Sequence, residues 1–435
     1  MQNATLWRAL LGVEKTVVEA VEFEEDEERL VAHVRPRSRA RGRCGRCGRV
    51  SPGYDLGEGR RRWRTLDLGT IQTWLEADAP RVNCLEHGPT VAAVPWARHG
   101  AGHTLAFDQQ VAWLATHCSK SAVTQLMRIA WRTVGAIIGR VWADTAAGVD
   151  LFAGLRRIGI DEISYKRNHK YLTVVVDHDT GRLVWAAPGS DKATLGRFFD
   201  ALAASGELAG EDRCAAITHV SADGAAWIAA VVAERCPAAV RCADPFHVVK
   251  WAGQALDEVR RQVWNAARNP AHARELRAKG RERAVTATGH AKALKDSRFA
   301  LWKNPENLTS RQQAKLAWIA KAEPRLHRAY LLKEALRLVF QLPPDEALTA
   351  LDNWIAWARR CRIQRFVKLQ RLIVEHKPSI LAAIEHGLSN GRIESVNTKI
   401  RLLTRIAYGF RSPDALISLA MLTLGGHRPA LPGRT

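Results

Sequence analysis

The sequence predicts a multidomain α/β protein, and three observations carry that prediction. Residues 158–189, IGIDEISYKRNHKYLTVVVDHDTGRLVWAAPG, alternate apolar and polar side chains around the β-branched run Thr173-Val174-Val175-Val176. Period-two alternation of that kind belongs to strands, and helix-period segments follow it in turn. Residues 248–386 then show an almost unbroken helical pattern, and the N-terminal third carries two paired metal-ligand motifs, the first of them in a basic stretch.

At 435 residues the chain can bury two or three cores. Its hydrophobic and charged fractions, 47% and 25%, are those of an ordinary globular protein. The net charge of +21 is not ordinary and favours a polyanionic partner, nucleic acid first. No apolar run approaches the ~20 residues that a membrane span needs. No basic-then-apolar leader opens the chain at Met1-Gln2-Asn3-Ala4. Eight cysteines, two of them in a CxxC, suit a reducing compartment with one metal site better than a disulfide scaffold. A cytoplasmic, nucleoid-associated protein is expected.

The first element is a short helical pattern with Leu6, Leu10 and Leu11. Strand-like alternation follows to Val34, broken by the acidic cluster Glu24–Glu28, which reads as a solvated turn. The sign then reverses: eleven arginines lie between Arg35 and Arg64, against only Asp55 and Glu58. A guanidinium is a planar fork of donors suited to phosphate, so Arg43, Arg46, Arg49, Arg61 and Arg62 are candidate DNA contacts. Within this stretch sits Cys44-Gly45-Arg46-Cys47, and Cys84-Leu85-Glu86-His87 follows after 36 intervening residues. Three thiolates and an imidazole make a closed tetrahedral structural site for one zinc. The intervening alternation, Arg62 to Val82, would be the ribbon pinned by the metal, and His99 and His103 are competing ligands better placed in loops. Helical segments over 106–116, 119–127 and 131–142 have the cadence of a helix-turn-helix, with Arg128, Arg132 and Arg140 as its DNA-facing cations.

The alternating stretch divides into three antiparallel strands, 158–164, 170–177 and 182–187, turning at Asp179-Thr180-Gly181. Asp161 lies on the first, an acid in an apolar strand that is costly unless something positive meets it. A helix over 192–205, a strand over 215–221, a helix over 225–235, a strand over 240–242 and a long helix after Asp244 complete the order βββαβαβα. A sheet that starts antiparallel and continues through crossover helices is the ribonuclease-H-like arrangement. It would bring Asp223, at the end of the fourth strand, beside Asp161. Taken singly, Asp223 and Asp244 also read as helix caps and His247 as a packed histidine.

The helical stretch is rich in Lys and Arg, including Arg260, Arg261, Arg274, Arg277, Arg281 and Arg283, and is punctuated by Pro305, Pro324, Pro343-Pro344 and Pro378. Arg260–Arg283 suits a groove for a DNA backbone. Trp302, Trp318, Trp354 and Trp357 are expected in the core, with one available to stack on an unpaired base. In Ser389–Asn397 and onward, Ile393, Val396, Ile400 and Leu403 form an apolar stripe, with Glu394, Asn397 and Arg401 on the polar one beside it. The helix dipole alone would favour Glu394 in a first turn.

These pieces together resemble the bacterial insertion-sequence transposases of the "insertion sequence L three" group, which carry a DDE triad. The resemblance rests on the Cys44/Cys47 and Cys84/His87 finger, the helix-turn-helix, IGIDE (158–162), SADG (221–224), DPFHVVKWAGQALDEVRR (244–261) and SNGRIESVNTKIRLLTRIAYGFRS (389–412). It implies a ribonuclease-H-like core interrupted by an all-α insertion before the final Glu. It maps Asp161, Asp223 and Glu394 as the catalytic, metal-binding acids, with Asp244 and His247 close to the site. His87 stands where many relatives have a fourth Cys, and it still ligates. Two magnesium ions, for which manganese can substitute, suit three carboxylates. The implied layout is a strand and zinc-finger module over 1–104, a helix-turn-helix over 105–150, and the core's first part over 151–265. The insertion over 266–386 and a C-terminal core helix with its tail over 387–435 complete it. The implied activity is recognition of terminal inverted repeats, DNA strand cleavage and strand transfer into target DNA, with at least a homodimer on paired ends. The competing readings are a nuclease of the same fold without strand transfer and a catalytically inactive DNA-binding regulator.

Overall fold

Where the alternation is strictest the backbone is extended, and where the period lengthens it is helical. The computed structural model describes residues 2–166, 170–268, 287–410 and 412–433. Arg274, Arg277, Arg281, Arg283 and Arg411 therefore lie outside the described residues. The chain divides into two compact units, Met1–Leu151 with Ile400–Thr435, and Phe152–Lys399. No helix among the described residues is long and apolar enough to cross a membrane.

In the first unit, helix α1 (Gln2–Leu10) leads into β1 (Thr16–Glu24) and β2 (Arg29–Pro36), joined through the acidic turn at Glu25–Glu27. Strands β3 (Gly53–Asp55), β4 (Arg60–Arg64), β5 (Gln72–Asp78), β6 (Arg81–Cys84) and β7 (Gly88–Val91) follow. They do not form one ribbon around the cysteines. β4 and β5 join the N-terminal hairpin in a sheet of order β1-β2-β5-β4, in which β2 and β5 run parallel. Only β3, β6 and β7 make the small sheet beside the metal ligands. The expectation that residues 62–82 are pinned by the metal is thus corrected. The physical reason is the inner face of β5, where Thr73, Leu75 and Ala77 are buried. Leu75 and Ala77 pack in one core with Val18, Ala32, Val34 and Trp63. Apolar burial of this kind outweighs proximity along the chain.

Three helices follow: α2 (Leu105–His117), α3 (Lys120–Met127) and α4 (Trp131–Gly148). Thr104 and Ser119 cap the first two by accepting from the amides of Phe107 and Ala122. Arg128 ends α3 in the left-handed region at φ 52°.

The second unit opens with β8 (Arg157–Lys166), β9 (Lys170–Asp177) and β10 (Leu183–Pro188), an antiparallel meander as expected. After α5 (Lys192–Ala209), strand β11 (His219–Ala222) lies parallel to β8. This strand is shorter than the alternation suggests, because residues 213–216 are taken up in turns. Helix α6 (Ala226–Arg235) and β12 (Val240–Ala243) complete a five-stranded sheet of order β10-β9-β8-β11-β12. The register sets Ala222 opposite Ile160, so Asp223 follows directly beside the level of Asp161.

Helix α7 (Pro245–Arg268) leaves the sheet, and the described residues beyond it form α8 (Ala287–Lys295), α9 (Arg298–Trp302), α10 (Ser310–Ala322), α11 (Pro324–Val339), α12 (Pro344–Arg360) and α13 (Gln364–Glu385). Their core gathers Leu256, Val259, Leu326, Leu336, Trp354 and Phe366. Pro324 and Pro344 open helices, where a missing N–H costs nothing. Pro378 was expected to interrupt, yet α13 runs through it. Buried Ile373 and Ile380 on either side hold that helix against the core. Trp354 is buried and donates to the Leu332 carbonyl (2.8 Å), but Trp302 and Trp357 reach the surface, contrary to expectation. Helices α14 (Gly391–Ile406) and α15 (Pro413–Leu424) close the chain.

Candidate active site and metal centre

The metal centre is built by two tight turns. Cys44 and Cys47 flank a turn in which the Gly48 amide donates to the Cys44 carbonyl (2.8 Å), and Gly45 N–H bonds to Val91 of β7 (3.2 Å). A side chain at Gly45 would sit 2.5 Å from that carbonyl and 2.4 Å from His99 Nδ1, so only glycine lets the two motifs close. The Cys47 and Cys84 sulfurs are 3.7 Å apart, and His87 Nδ1 lies 3.8 Å from Cys44 Sγ and 3.7 Å from Cys84 Sγ. Ligands about 2.3 Å from a tetrahedral metal stand about 3.8 Å from one another. The hydrogen bond from His87, with the amides of Glu86 and His87, draws the Cys84 thiol down to about 6, favouring the thiolate that a metal requires. Among the described residues this is the one Cys/His/Asp/Glu group of three or more whose ligand atoms all lie within 4.8 Å. His99 and His103 stand outside it.

Asp161 and Asp223 come from β8 and β11, neighbouring parallel strands of the five-stranded sheet. Asp161 on β8 accepts from the Glu162 amide (2.7 Å) and from Asn397 Nδ2 of α14 (2.7 Å). Burial raises its carboxyl above the usual range, and the charges of Asp223 and Asp244 add to the rise, against the Glu162 amide and the charge of His247. Asp223 leaves β11 and accepts from the Ala225 amide (3.0 Å). Glu162, a residue that sequence reasoning passed over, is also raised by burial and by the Asp223 and Asp161 charges. Its Oε1 is buried without a hydrogen-bond partner. Glu394 is exposed in the first turn of α14, one turn before Asn397 and on the same face. Asp161 and Asp223 thus stand on neighbouring strands, and Glu394 is carried by the helix that Asn397 ties to Asp161; among the described residues the three acids do not form a closed cluster like the cysteines.

A buried polar chain holds this arrangement. Asp244 accepts from His247 Nδ1 (2.6 Å), the Phe246 amide (3.2 Å) and the Asn390 amide (3.4 Å), fastening β12 and α7 to the start of α14. The Asp244 hydrogen bond raises His247 above its ordinary value. Ser221 donates to Asn390 Oδ1 (2.6 Å) and accepts from His178 Nε2 (2.6 Å). Asn397, on the polar stripe beside the apolar one, is only 2% exposed and donates to Asp161.

Two predictions arise here. Ile393 of α14 packs straight onto Gly159, where a Cβ would fall 2.2 Å from Ile393 Cδ1. Gly159→Ala should therefore cost about 1–3 kcal/mol by overpacking, checked by chemical denaturation; unchanged stability would refute this packing. His178 is pushed down to about 4 from 6.5, first by burial and then by Arg392 and Arg157. The unfolded chain binds the proton first, so His178's contribution is complete above pH 6.5 and is lost as pH falls toward 4. Melting temperature should fall more between pH 7 and 5 in the natural protein than in His178→Gln, which can keep a donor to Ser221. Equal slopes would count against the buried neutral imidazole.

The candidate DNA-contacting arginines separate into two groups. Arg43, Arg46 and Arg132 are exposed. Arg49 pairs with Glu86 (3.3 Å) at the surface, and half-buried Arg61 donates to the Ala101 carbonyl (2.8 Å). Arg62 is engaged by Glu24 (2.7 Å) and Glu76 (2.6 Å), Arg128 by Asp67, and Arg140 by the fully buried Asp108 (3.0 Å). Arg260 is buried against Asp257 (2.8 Å), which exposed Arg261 shares (3.0 Å). Much of the basic stretch is therefore compensated by acids distant in sequence.

Comparison with known proteins agrees with this arrangement along the chain. A family described as transposase matches residues 158–420. The helix-turn-helix domain of transposase family ISL3 matches 92–142, and the zinc-finger of transposases IS204/IS1001/IS1096/IS1165 matches 40–87. The transposase for insertion sequence element IS1557, from two strains of Mycobacterium tuberculosis, is 65% identical over 443 residues, covering 100% of this chain and 98% of the relative. The transposase for insertion sequence element IS1001 of Bordetella parapertussis is 25% identical over 419 residues, covering 95% and 96%. With a metal-binding finger, a helix-turn-helix and a strand-borne acid site following one another in the same order, the chain belongs to the ISL3 family of transposases.

Proposed function

We propose that this protein cleaves DNA at the ends of an insertion sequence and joins the freed ends to target DNA. The reading is carried by Asp161 and Asp223 at neighbouring parallel strands, with the helix of Glu394 tied to Asp161 through Asn397. The sheet order and the helices between α7 and α14 suit a ribonuclease-H-like core with an all-α insertion over 266–386, flanked by core segments over 151–265 and 387–435. Residues 1–104 and 105–150 would recognise the terminal inverted repeats, with a structural zinc on Cys44, Cys47, Cys84 and His87. Arg43, Arg46 and Arg132, free of acidic partners among the described residues, are the first candidates for phosphate contact.

The donors fit hard divalent cations. Asp161 is raised by burial and by neighbouring negative charge, and Glu162 Oε1 lies buried with no donor. Held by Asp161, Asp223 and Glu394, two magnesium or manganese ions would supply positive charge at the attacking and leaving oxygens of an in-line displacement. Asn397 orients the Asp161 carboxylate, and Asp244 with Asn390 fixes where α14 begins. In cleavage, water adds to phosphorus as the P–O3′ bond breaks. In transfer, the released 3′-hydroxyl adds to a target phosphodiester as its own P–O3′ bond breaks. Pairing two ends implies a homodimer or larger assembly on DNA.

Full-length protein mixed with labelled end DNA, supercoiled plasmid and Mg²⁺ should yield joined product. Cleaved ends without joining would make it a nuclease; end binding with neither product would make it a regulator.

A further inference from the structure

The acids do not account for a second concave feature on α7. A groove of about 970 Å³ runs along α7 from Pro245 and Phe246 to Arg261, walled on the other side by Arg298, Trp302 and Phe340. Its apolar surfaces are unusually open for rings of their size: Phe246 is 60% exposed and Trp302 43%. The Arg298 guanidinium lies 3.9 Å from the centre of the Trp302 ring, a cation stacked on an indole. Lys250 and Arg298 are exposed, with no acidic partner among the described residues, and Arg261 shares Asp257. Asp257 is the groove's one acid among the residues that line it. Lys333 and Arg337 at its far wall are held by Glu334. At its near end, the Phe246 ring stands 5.7 Å from that of His247, whose charge acts on Asp161.

Exposed rings interleaved with free cations match one kind of ligand: flat aromatic bases on an anionic backbone. A duplex cannot use such rings, because both faces of each base are already covered by stacking. An unpaired base has free faces and can lie on an indole or a guanidinium plane. We propose that this groove holds unpaired nucleotides of the DNA engaged at the acid site, with bases on Trp302 and Phe246 and phosphates on Lys250, Arg298 and Arg261. The proposal rests on the reading of the acids as a DNA-processing site, and it adds a place for strands opened beside them.

The test uses full-length protein and a single-stranded oligodeoxynucleotide of about 12 nucleotides bearing one 2-aminopurine. The emission of that base falls when it stacks on a ring. Quenching is expected with the natural protein. Trp302→Ala and Arg298→Ala should weaken single-strand binding by about 5- to 100-fold, while Trp302→Phe, which keeps a ring, should retain most of it. Binding of a duplex of equal length should be unchanged in all three. Absent quenching, or quenching that survives both Trp302→Ala and Phe246→Ala, overturns the proposal. Because the readout needs no bond cleavage, the two readings fail separately. No quenching by the natural protein, with cleavage and joining intact, sinks the groove alone; quenching by the natural protein without either product sinks the transposition reading alone.

Discussion

Asp161→Asn and Glu394→Gln are each expected to reduce DNA strand cleavage by about 10²–10³-fold or more, with binding to end DNA retained. Each substitution removes one negative charge and leaves the side-chain shape almost unchanged. At position 161 the amide oxygen can still accept from Asn397 Nδ2, so the anchorage of α14 to β8 survives. What disappears is the anionic oxygen facing Asp223, and with it a hard ligand for a divalent cation. Glu394 is exposed in a first helical turn, so neutralising it removes no buried contact. Cleavage of labelled end DNA in Mg²⁺ measures the loss directly. A variant that cleaves at the natural rate would remove that residue from the reaction, and the loss of both activities together would instead indicate misfolding.

Replacing Cys44 and Cys84 together by Ser is expected to release the metal and to abolish end binding. The small sheet of β3, β6 and β7 has little apolar content of its own: its buried cluster is Cys44, Val82 and Cys84. A structural zinc contributes on the order of 10 kcal/mol to folding in comparable sites, far above what two or three such side chains supply. Metal content by mass spectrometry and end binding by mobility shift should fall together. The second unit has its own core, so its melting transition should persist in the double variant. End binding at natural strength in protein without metal would detach recognition from the finger.

The parts of this fold that the sequence reveals are those fixed by nearby residues. The meander shows because alternation sets which side of the sheet each residue faces. The finger shows because CxxC and CxxH place ligands within one turn. Even the approach of Asp223 to Asp161 was legible, since strand order and register follow from the crossover rules. Partners distant in sequence were not legible. Arg62 looked free until Glu24, 38 residues earlier, was placed against it, and Arg140 until Asp108, 32 residues earlier, was buried beneath it. Asn397 read only as one of a polar stripe because its partner, Asp161, lies 236 residues away. Trp302 read as core because hydrophobicity cannot distinguish a ring that packs from one left open to a groove.

The tether from Asn397 back to Asp161 also imposes an order in time. A ribosome delivers both aspartates well before it reaches α14, so a half-made chain carries the finger and the first acids but no closing helix. On the proposed reading of the acids, competence to cut is thereby postponed until synthesis is nearly finished. On that reading a polypeptide terminated early, although it keeps the four candidate metal ligands, would lack the means to break a strand.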